Sequence, residues 1–104
     1  MYYLAGRFKG ASFYIMPSPV EIPYRSFISI DRRSSTPVYL QIANELLKAI
    51  QRNTLLPGAK LLGTRALSVL LEVHRNTAVS AYDELASQGW INIRPNQGAY
   101  VSAE

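Results

Sequence analysis

The sequence predicts a mainly α-helical domain of three helices that ends in a small two-stranded β-hairpin. Apolar residues recur at three- and four-residue spacing over 37–50 and again over 65–88, which is typical of helices with one buried face. Residues 90–94 and 99–102 are rich in β-branched and aromatic side chains and flank a Pro-Asn-Gln-Gly turn. Together these patterns favour one small helical domain with a β-hairpin at its end.

Composition excludes several classes of function. The chain has 104 residues, of which 48% are hydrophobic and 17% charged, so it can bury a core. It contains no cysteine and one histidine, His74, which excludes a disulfide scaffold, thiolate metal sites, cysteine nucleophiles and a histidine-rich metal site. No apolar run approaches the ~18–20 residues that span a bilayer, and the start is a poor signal peptide. We therefore expect a cytoplasmic protein with no membrane partner.

The net charge of +4 is unevenly distributed. Residues 1–36 carry most of the excess, whereas residues 37–104 hold six basic and five acidic side chains. A basic chain often binds nucleic acid, but here the part that is predicted to fold is nearly neutral. The placement of individual arginines is therefore more informative than the net charge.

We expect two regions, an extended or disordered N-terminal arm (residues 1–35) and a folded domain (residues 36–104). Three prolines between residues 17 and 23 interrupt the arm, which shows no useful periodicity. Met16 precedes the first of these prolines and is an alternative translation start. Residues 27–30 alternate apolar and polar side chains, which leaves open a short strand or packing on the domain.

The first predicted helix begins at Thr36-Pro37. Thr36 is the expected cap, and Pro37 suits the first helical position, where the amide has no partner within the helix. Asn53 is expected to end the helix in the left-handed conformation. The buried face is expected to consist of Val38, Tyr39, Ile42, Ala43, Leu46, Ala49 and Ile50.

Two further helices are predicted, joined by a tight turn. The second covers 65–71 and starts at Gly63 or Thr64, with Ala66, Leu67, Leu70 and Leu71 facing inward. The third covers 75–88, with His74 as its expected cap and Gly89 at its end. Its buried face is expected to consist of Ala78, Ala81, Tyr82 and Leu85.

Two helices joined by a tight turn and followed by a hairpin form a winged helix-turn-helix, a layout suited to DNA docking. The second helix of the pair enters the major groove, and the side chains near its start meet base edges. Arg75 and Asn76 can form bidentate contacts to guanine and adenine, and Val79 can contact a thymine methyl. Thr77 suits a phosphate, and Gly98 lets the hairpin backbone approach the sugar-phosphate chain.

Residues 37–102 resemble the DNA-binding domain of the GntR-type bacterial transcription regulators. The sequence is most similar to the MocR-like branch, a resemblance carried by Ile30-Asp31-Arg32 ahead of Thr36-Pro37, together with Arg75-Asn76-Thr77 and Ala81-Tyr82. The stretches that carry the family resemblance are Pro37-Val38-Tyr39-Leu40-Gln41-Ile42, Leu56-Pro57-Gly58, Gly63-Thr64-Arg65-Ala66-Leu67, His74-Arg75-Asn76-Thr77, Ala81-Tyr82-Asp83-Glu84-Leu85, Gly89-Trp90-Ile91 and Gly98-Ala99-Tyr100-Val101.

The resemblance implies DNA contacts at Arg65, Arg75, Asn76, Thr77 and the wing tip around Gly98. The sequence departs from the family pattern at two positions. Glu72 stands where a glycine commonly ends the second helix, so a less relaxed turn is expected. His74 replaces the usual serine or threonine cap, so the cap should be weaker, by about 1 kcal/mol or less.

Each candidate contact has a structural alternative. Arg75 lies beside the positive end of a helix, which disfavours a purely structural role. Asn76 and His74 could instead cap the helix, so base contact and capping both stay open for them. Thr77 could bond its own backbone instead of a phosphate. For Val79 the alternative is simple exposure, and for Arg65 it is a solvated helix surface.

The sequence therefore predicts a sequence-specific DNA-binding transcription regulator that acts as a homodimer on an operator, and not an enzyme. No cofactor is expected in this chain. In the MocR-like alternative, a pyridoxal-phosphate-binding, aminotransferase-like domain would follow it. A second alternative is a winged helix that binds protein.

Overall fold

The computed structural model describes residues 22–103 and, ahead of them, two short paired strands. These strands are β1 (Arg7–Phe8) and β2 (Ala11–Ser12), which run antiparallel. The rest of the predicted arm before residue 22, with the alternative start at Met16, lies outside the described residues.

The described part of the chain is mainly helical and ends in a two-stranded antiparallel sheet, which confirms the predicted fold class. The bounds of the predicted helices agree with the structure to within about a residue. The elements are α1 (Tyr24–Phe27), α2 (Val38–Gln51), α3 (Thr64–Leu71), α4 (Arg75–Ser87), β3 (Ile91–Arg94) and β4 (Gly98–Val101).

Helix α4 lies at the centre of the fold, packed against both α2 and α3. Its buried face is the predicted one, and two of the four residues on it are alanines. Small side chains on a helix surface let neighbouring helices approach closely. The largest side chains that are almost fully buried are Tyr24, Ile42, Leu46, Leu55, Leu61, Leu67, Leu85, Ile91 and Val101.

The start of α2 differs from the prediction by one residue. Pro37 precedes the helix, with φ −56° and ψ 144°, and its carbonyl accepts the first helical bonds from Leu40 and Gln41. Thr36 does not cap the helix with its side chain; its carbonyl accepts a hydrogen bond from Gln41 Nε2 instead (2.8 Å). At the other end, Asn53 adopts φ 62°, which confirms the predicted left-handed terminator.

Helix α3 faces the core as predicted except at Ala66. Ala66 is exposed, and Ser68 is buried in its place. The buried hydroxyl is satisfied within the helix, because Ser68 Oγ donates to the Arg65 carbonyl at 2.7 Å. A serine can thus occupy a core position without leaving a polar group unpaired.

The predicted hairpin forms with Ile91 opposite Val101 and Arg94 opposite Gly98. The segment just before α3 pairs with its second strand: Leu61 N donates to Ala99 O (2.8 Å), and Val101 N donates to Ala59 O (2.9 Å). An isolated antiparallel bridge also joins Lys60 to Tyr100. The wing is therefore fixed to the start of the helix pair.

The N-terminal segment (residues 22–36) packs on the helices, although the sequence assigns the residues up to 35 to the arm. Tyr24 and Ile28 belong to the core, and α1 forms one helical turn there. The two buried tyrosines bond the same residue: Leu62 N donates to Tyr24 Oη (2.9 Å), and Tyr82 Oη donates to Leu62 O. Of the two alternatives for residues 27–30, packing on the domain is observed, while no strand forms.

Candidate nucleic-acid interface

The turn between α3 and α4 consists of three residues, 72–74. Glu72 adopts the left-handed conformation, with φ 57° and ψ 49°, and Val73 N donates to Ser68 O at 2.9 Å. This hydrogen bond closes a loop of six residues, from Ser68 to Val73. It satisfies a carbonyl at the end of α3 and accompanies the reversal of the chain. A β-carbon makes that conformation costly for any residue other than glycine, by about 1–2 kcal/mol. The less relaxed turn expected from Glu72 is therefore present.

His74 occupies the predicted position before α4, but its side chain does not cap the helix. Its backbone is extended (φ −67°, ψ 149°), and its carbonyl accepts bonds from the amides of Thr77 (3.0 Å) and Ala78 (3.3 Å). The imidazole makes no capping hydrogen bond and is exposed. The expectation of a His74 side-chain cap is thus wrong, and the ring is free to face a ligand.

The first turn of α4 exposes three polar side chains and contains no acidic residue. Arg75 and Asn76 are exposed and Thr77 is partly exposed. Within residues 22–103, no hydrogen bond or ion pair engages these side chains, so neither the Asn76 cap nor the local Thr77 bond is observed. The amides at a helix start point outward with partial positive charge, and an anion or a base edge would satisfy them.

The outward face of α4 continues from this first turn. Val79 is partly exposed and lies outside the core, while Ser80 and Asp83 are exposed. Because Val79 follows Arg75 by four positions, the two share one face of the helix. The structure thus gives α4 one apolar contact point on a polar surface.

Arg65 lies in the first turn of α3 and is exposed. The same helix exposes Val69, whose side chain is 74% accessible. Among residues 22–103, the ion pair that forms is Lys48–Glu45 on α2 (3.6 Å), so it does not involve Arg65 or Arg75. Both arginines therefore keep their guanidinium groups available at the starts of the two helices.

Two cationic side chains at the wing were not singled out from the sequence: Arg94 lies in β3, and Lys60 lies in the segment that pairs with β4. Gly98 has φ 125°, and a β-carbon there would approach Lys60 Cε to 3.0 Å. Gly98 therefore makes room for Lys60 to cross the wing. The Arg94 guanidinium lies 4.6 Å from the centre of the Tyr100 ring. Lys60 comes close to the wing through a pairing over 40 residues, which no local pattern reveals.

Neither a metal-ligand cluster nor a membrane-spanning helix occurs among the described residues. No group of three or more metal-ligating side chains occurs there. None of the helices there is both long enough and apolar enough to cross a membrane.

Two helices joined by a short turn, with basic and amide side chains at the start of the second and a cationic hairpin after it, define a winged helix-turn-helix protein of the DNA-binding class. The family described as "Bacterial regulatory proteins, gntR family" matches residues 38–101. This chain belongs to the GntR family, and residues 38–101 form the DNA-binding winged-helix domain that matches it.

Individual relatives agree with this assignment. The chain is 37% identical over 75 residues to the HTH-type transcriptional repressor YtrA of Bacillus subtilis, and this covers 72% of the chain and 58% of YtrA. The solved structure of YtrA from Sulfolobus acidocaldarius, a GntR-family transcription factor, superposes with a TM-score of 0.71 at 36% identity, covering 75% of this chain and 82% of that one. The chain thus matches a little over half the length of the bacterial YtrA.

The MocR-like branch is not confirmed. The probable rhizopine catabolism regulatory protein MocR of Rhizobium meliloti is 30% identical over 73 residues, which is 70% of this chain but 15% of MocR. Its identity to this chain is lower than that of the YtrA proteins.

Proposed function

We propose that this domain binds a specific operator by placing the start of α4 in the major groove of DNA. The observation that carries the proposal is the contrast within α4: one face is core, while Arg75, Asn76 and Thr77 are presented to solvent without internal partners. Polar groups arranged in this way at the start of the second helix match the docking geometry of helix-turn-helix proteins.

In this arrangement Arg75 would read guanine through its two parallel donors, and Asn76 would read adenine. Thr77 and the free amides of the first turn would hold a phosphate. Val79 would contact a thymine methyl, four positions further along the same face. His74, with its exposed ring, and Arg65 on α3 would contact the edge of the groove or the backbone.

The wing would contact the neighbouring backbone or minor groove. Lys60 and Arg94 supply its charge, and their positions are fixed by pairing with β4 and by the Tyr100 ring. Such contacts position a protein on DNA and supply salt-dependent affinity, whereas the contacts of α4 supply sequence preference.

We further propose that two copies act together on a repeated half-site. A single small module reaches only a few base pairs, and helix-turn-helix proteins gain specificity by binding two half-sites about one helical turn apart. Since the proposed target is operator DNA, the proposed compartment is the cytoplasm.

The likeness to both YtrA proteins favours a YtrA-like regulator over the alternative of a DNA-binding appendage to an aminotransferase-like domain. The YtrA relatives share 36–37% identity with this chain, against 30% for MocR. No pyridoxal-phosphate chemistry is assigned to the residues of this chain.

The test is selection of DNA sequences from a random pool by the full chain, followed by fluorescence anisotropy with a salt titration. We expect one enriched motif. Arg75→Ala should weaken binding to that motif by about 10- to 100-fold, as expected for a lost bidentate base contact. Arg52→Ala removes the same charge from the exposed turn after α2 and is the matched control.

Uniform weak binding to every sequence, with equal losses in the two variants, would contradict sequence-specific recognition. Absence of any DNA binding, with a protein partner retained, would favour the protein-interaction alternative.

A further inference from the structure

The N-terminal segment (residues 22–36) contacts the helix-turn-helix through one arginine. Arg32 Nη2 donates to the carbonyl of Glu72 at 2.9 Å and to that of Leu71 at 3.4 Å. These bonds join residues 39 and 40 positions apart in the chain. The segment precedes residues 38–101, which match the family, so the contact joins residues outside the matched range to the helix-turn-helix.

The end of α3 is where such a contact has the greatest effect. The last carbonyls of a helix lack partners within it and carry its negative pole, so a cation there is favourable. Glu72 holds a left-handed conformation that is unfavourable for a glutamate. A guanidinium on the Glu72 carbonyl stabilises the peptide orientation that this conformation requires.

Arg32 is itself held in place from both sides. The Gln41 side chain on α2 accepts from Asp31 N (2.7 Å) and donates to the carbonyls of Asp31 (3.0 Å) and Thr36 (2.8 Å). Asp31 Oδ1 in turn accepts from Arg33 N at 3.0 Å. Upstream, Ile28 is buried in the core. The backbone around Arg32 is thus fixed to α2, and its side chain connects α2 to the turn before α4.

We infer that Arg32 is a positioning residue, which fixes α4 relative to α3 and thereby sharpens DNA sequence recognition; this rests on the proposed function. The turn at residues 72–74 sets the angle between the helix that carries Arg65 and the helix that carries Arg75. Recognition groups must be held to within about half an ångström of their productive geometry. A more mobile turn does not change the charge of Arg65 or Arg75, but it lets the two side chains occupy a wider range of relative positions.

A positioning role for Arg32 predicts a different effect on DNA binding from the one that a direct phosphate contact would predict. Loss of a phosphate contact weakens binding to all sequences and lowers the salt slope by about 0.9. Loss of positioning weakens binding to the selected motif, leaves binding to unrelated DNA unchanged, and leaves the slope on unrelated DNA intact. The ratio of specific to non-specific affinity therefore separates the two roles.

The experiment compares Arg32→Gln with Arg33→Gln in the full chain, by anisotropy on the selected motif and on unrelated DNA across a salt series. Arg33→Gln removes the same charge from the neighbouring position. We expect Arg32→Gln to lower affinity for the motif by about three- to tenfold, as for one lost surface hydrogen-bonded contact. Affinity for unrelated DNA should be unchanged, and Arg33→Gln should lower neither affinity by as much as twofold.

Two more variants distinguish a loss of positioning from a loss of folding. Thermal melting measures the stability of each variant. Arg32→Lys keeps one donor for the Glu72 carbonyl and should recover part of the specificity. Gln41→Leu releases the backbone around Arg32 and should reproduce the Arg32→Gln shift. When Gln41→Leu is combined with Arg32→Gln, it should lower the specificity little further, because both changes disrupt the same contact of Arg32 with the turn.

Equal losses on motif and unrelated DNA, with a smaller salt slope, would assign Arg32 to a phosphate and overturn the positioning role. An unchanged specificity ratio in Arg32→Gln would also overturn it. Neither result would affect the proposed function, which stands or falls with Arg75→Ala on the same motif.

Discussion

The two faces of α4 differ in almost every physical property. The inner face carries Ala78, Ala81, Tyr82 and Leu85, each at most 2% exposed, and the one hydroxyl on it is hydrogen-bonded. The outer face begins with exposed side chains that bond nothing within residues 22–103. A helix can thus define the fold with one face and leave the other free for a ligand, and mutations on the two faces should separate stability from binding.

Leu85→Ala should have the largest effect, and it should act on stability. Leu85 is 1% exposed, and truncation of a buried leucine costs about 2–5 kcal/mol of unfolding free energy. Ser80→Ala on the outer face is the control and should change stability by about 0.5 kcal/mol or less. Urea unfolding measures both. Similar losses of unfolding free energy in the two variants would contradict the proposed difference between the two faces.

Tyr82→Phe should come next, with a loss of about 1–3 kcal/mol, because the buried Leu62 carbonyl loses its donor. Burial, with a smaller contribution from nearby Tyr24, raises the pKa of Tyr82 above its ordinary 10.0, and burial also raises the pKa of Tyr24. The native state therefore holds these protons more tightly than the unfolded state.

A group whose pKa is raised in the folded state contributes stability that is fully present below its unfolded-state pKa. This contribution is lost as the pH rises toward the folded-state pKa. Stability should thus be unaffected by these groups below about pH 10 and should fall above it, by up to about 1.4 kcal/mol per pH unit for each tyrosine. Chemical denaturation from pH 9 to pH 11 measures the slope. Tyr82→Phe should make it shallower, and an unchanged slope in that variant would contradict the assignment.

Lys60→Ala tests the wing, which should resemble the outer face in affecting binding more than stability. We expect weaker binding to motif and unrelated DNA alike, with the salt slope reduced by about 0.9, as for one lost phosphate contact. Lys48→Ala, on α2 in the Glu45 pair, is the matched control. A loss confined to the selected motif would contradict a backbone role for Lys60.

Glu72→Gly should have the smallest effect and the opposite sign. Glycine adopts the left-handed conformation without penalty, so the variant should gain about 1 kcal/mol of stability. The backbone carbonyl that accepts from Arg32 is retained. A lower melting temperature in this variant would show that the Glu72 side chain itself stabilises the turn.

Local patterns predicted most of the fold. Helical periodicity identified α2, α3 and α4, and residue type alone identified the left-handed position at Asn53. The prediction failed at Ala66, because a serine that bonds its own helix was not expected inside. It also failed for Thr36 and His74, where side chains of the expected kind lie at helix starts without capping.

The contacts that sequence reasoning missed join distant parts of the chain. Tyr24 reaches Leu62 across 38 residues, and Arg32 reaches Glu72 across 40. No periodicity encodes such pairs, and the short segment from Tyr24 to Arg32 has no pattern of its own that indicates the surface it packs on. At the interface, residue type and position predicted the exposed candidates on α3 and α4, but Lys60 and Arg94 needed the folded hairpin.

The most direct test of the account is a binding cycle between Arg75 and the bases of the selected half-site. Anisotropy would measure the affinity of the wild type and of Arg75→Ala for the motif and for every single-base variant of it. We predict that the wild type discriminates at one guanine by about 1–3 kcal/mol and that Arg75→Ala loses discrimination at that position alone. If Arg75→Ala kept the full base-preference profile, recognition by the first turn of α4 would be contradicted.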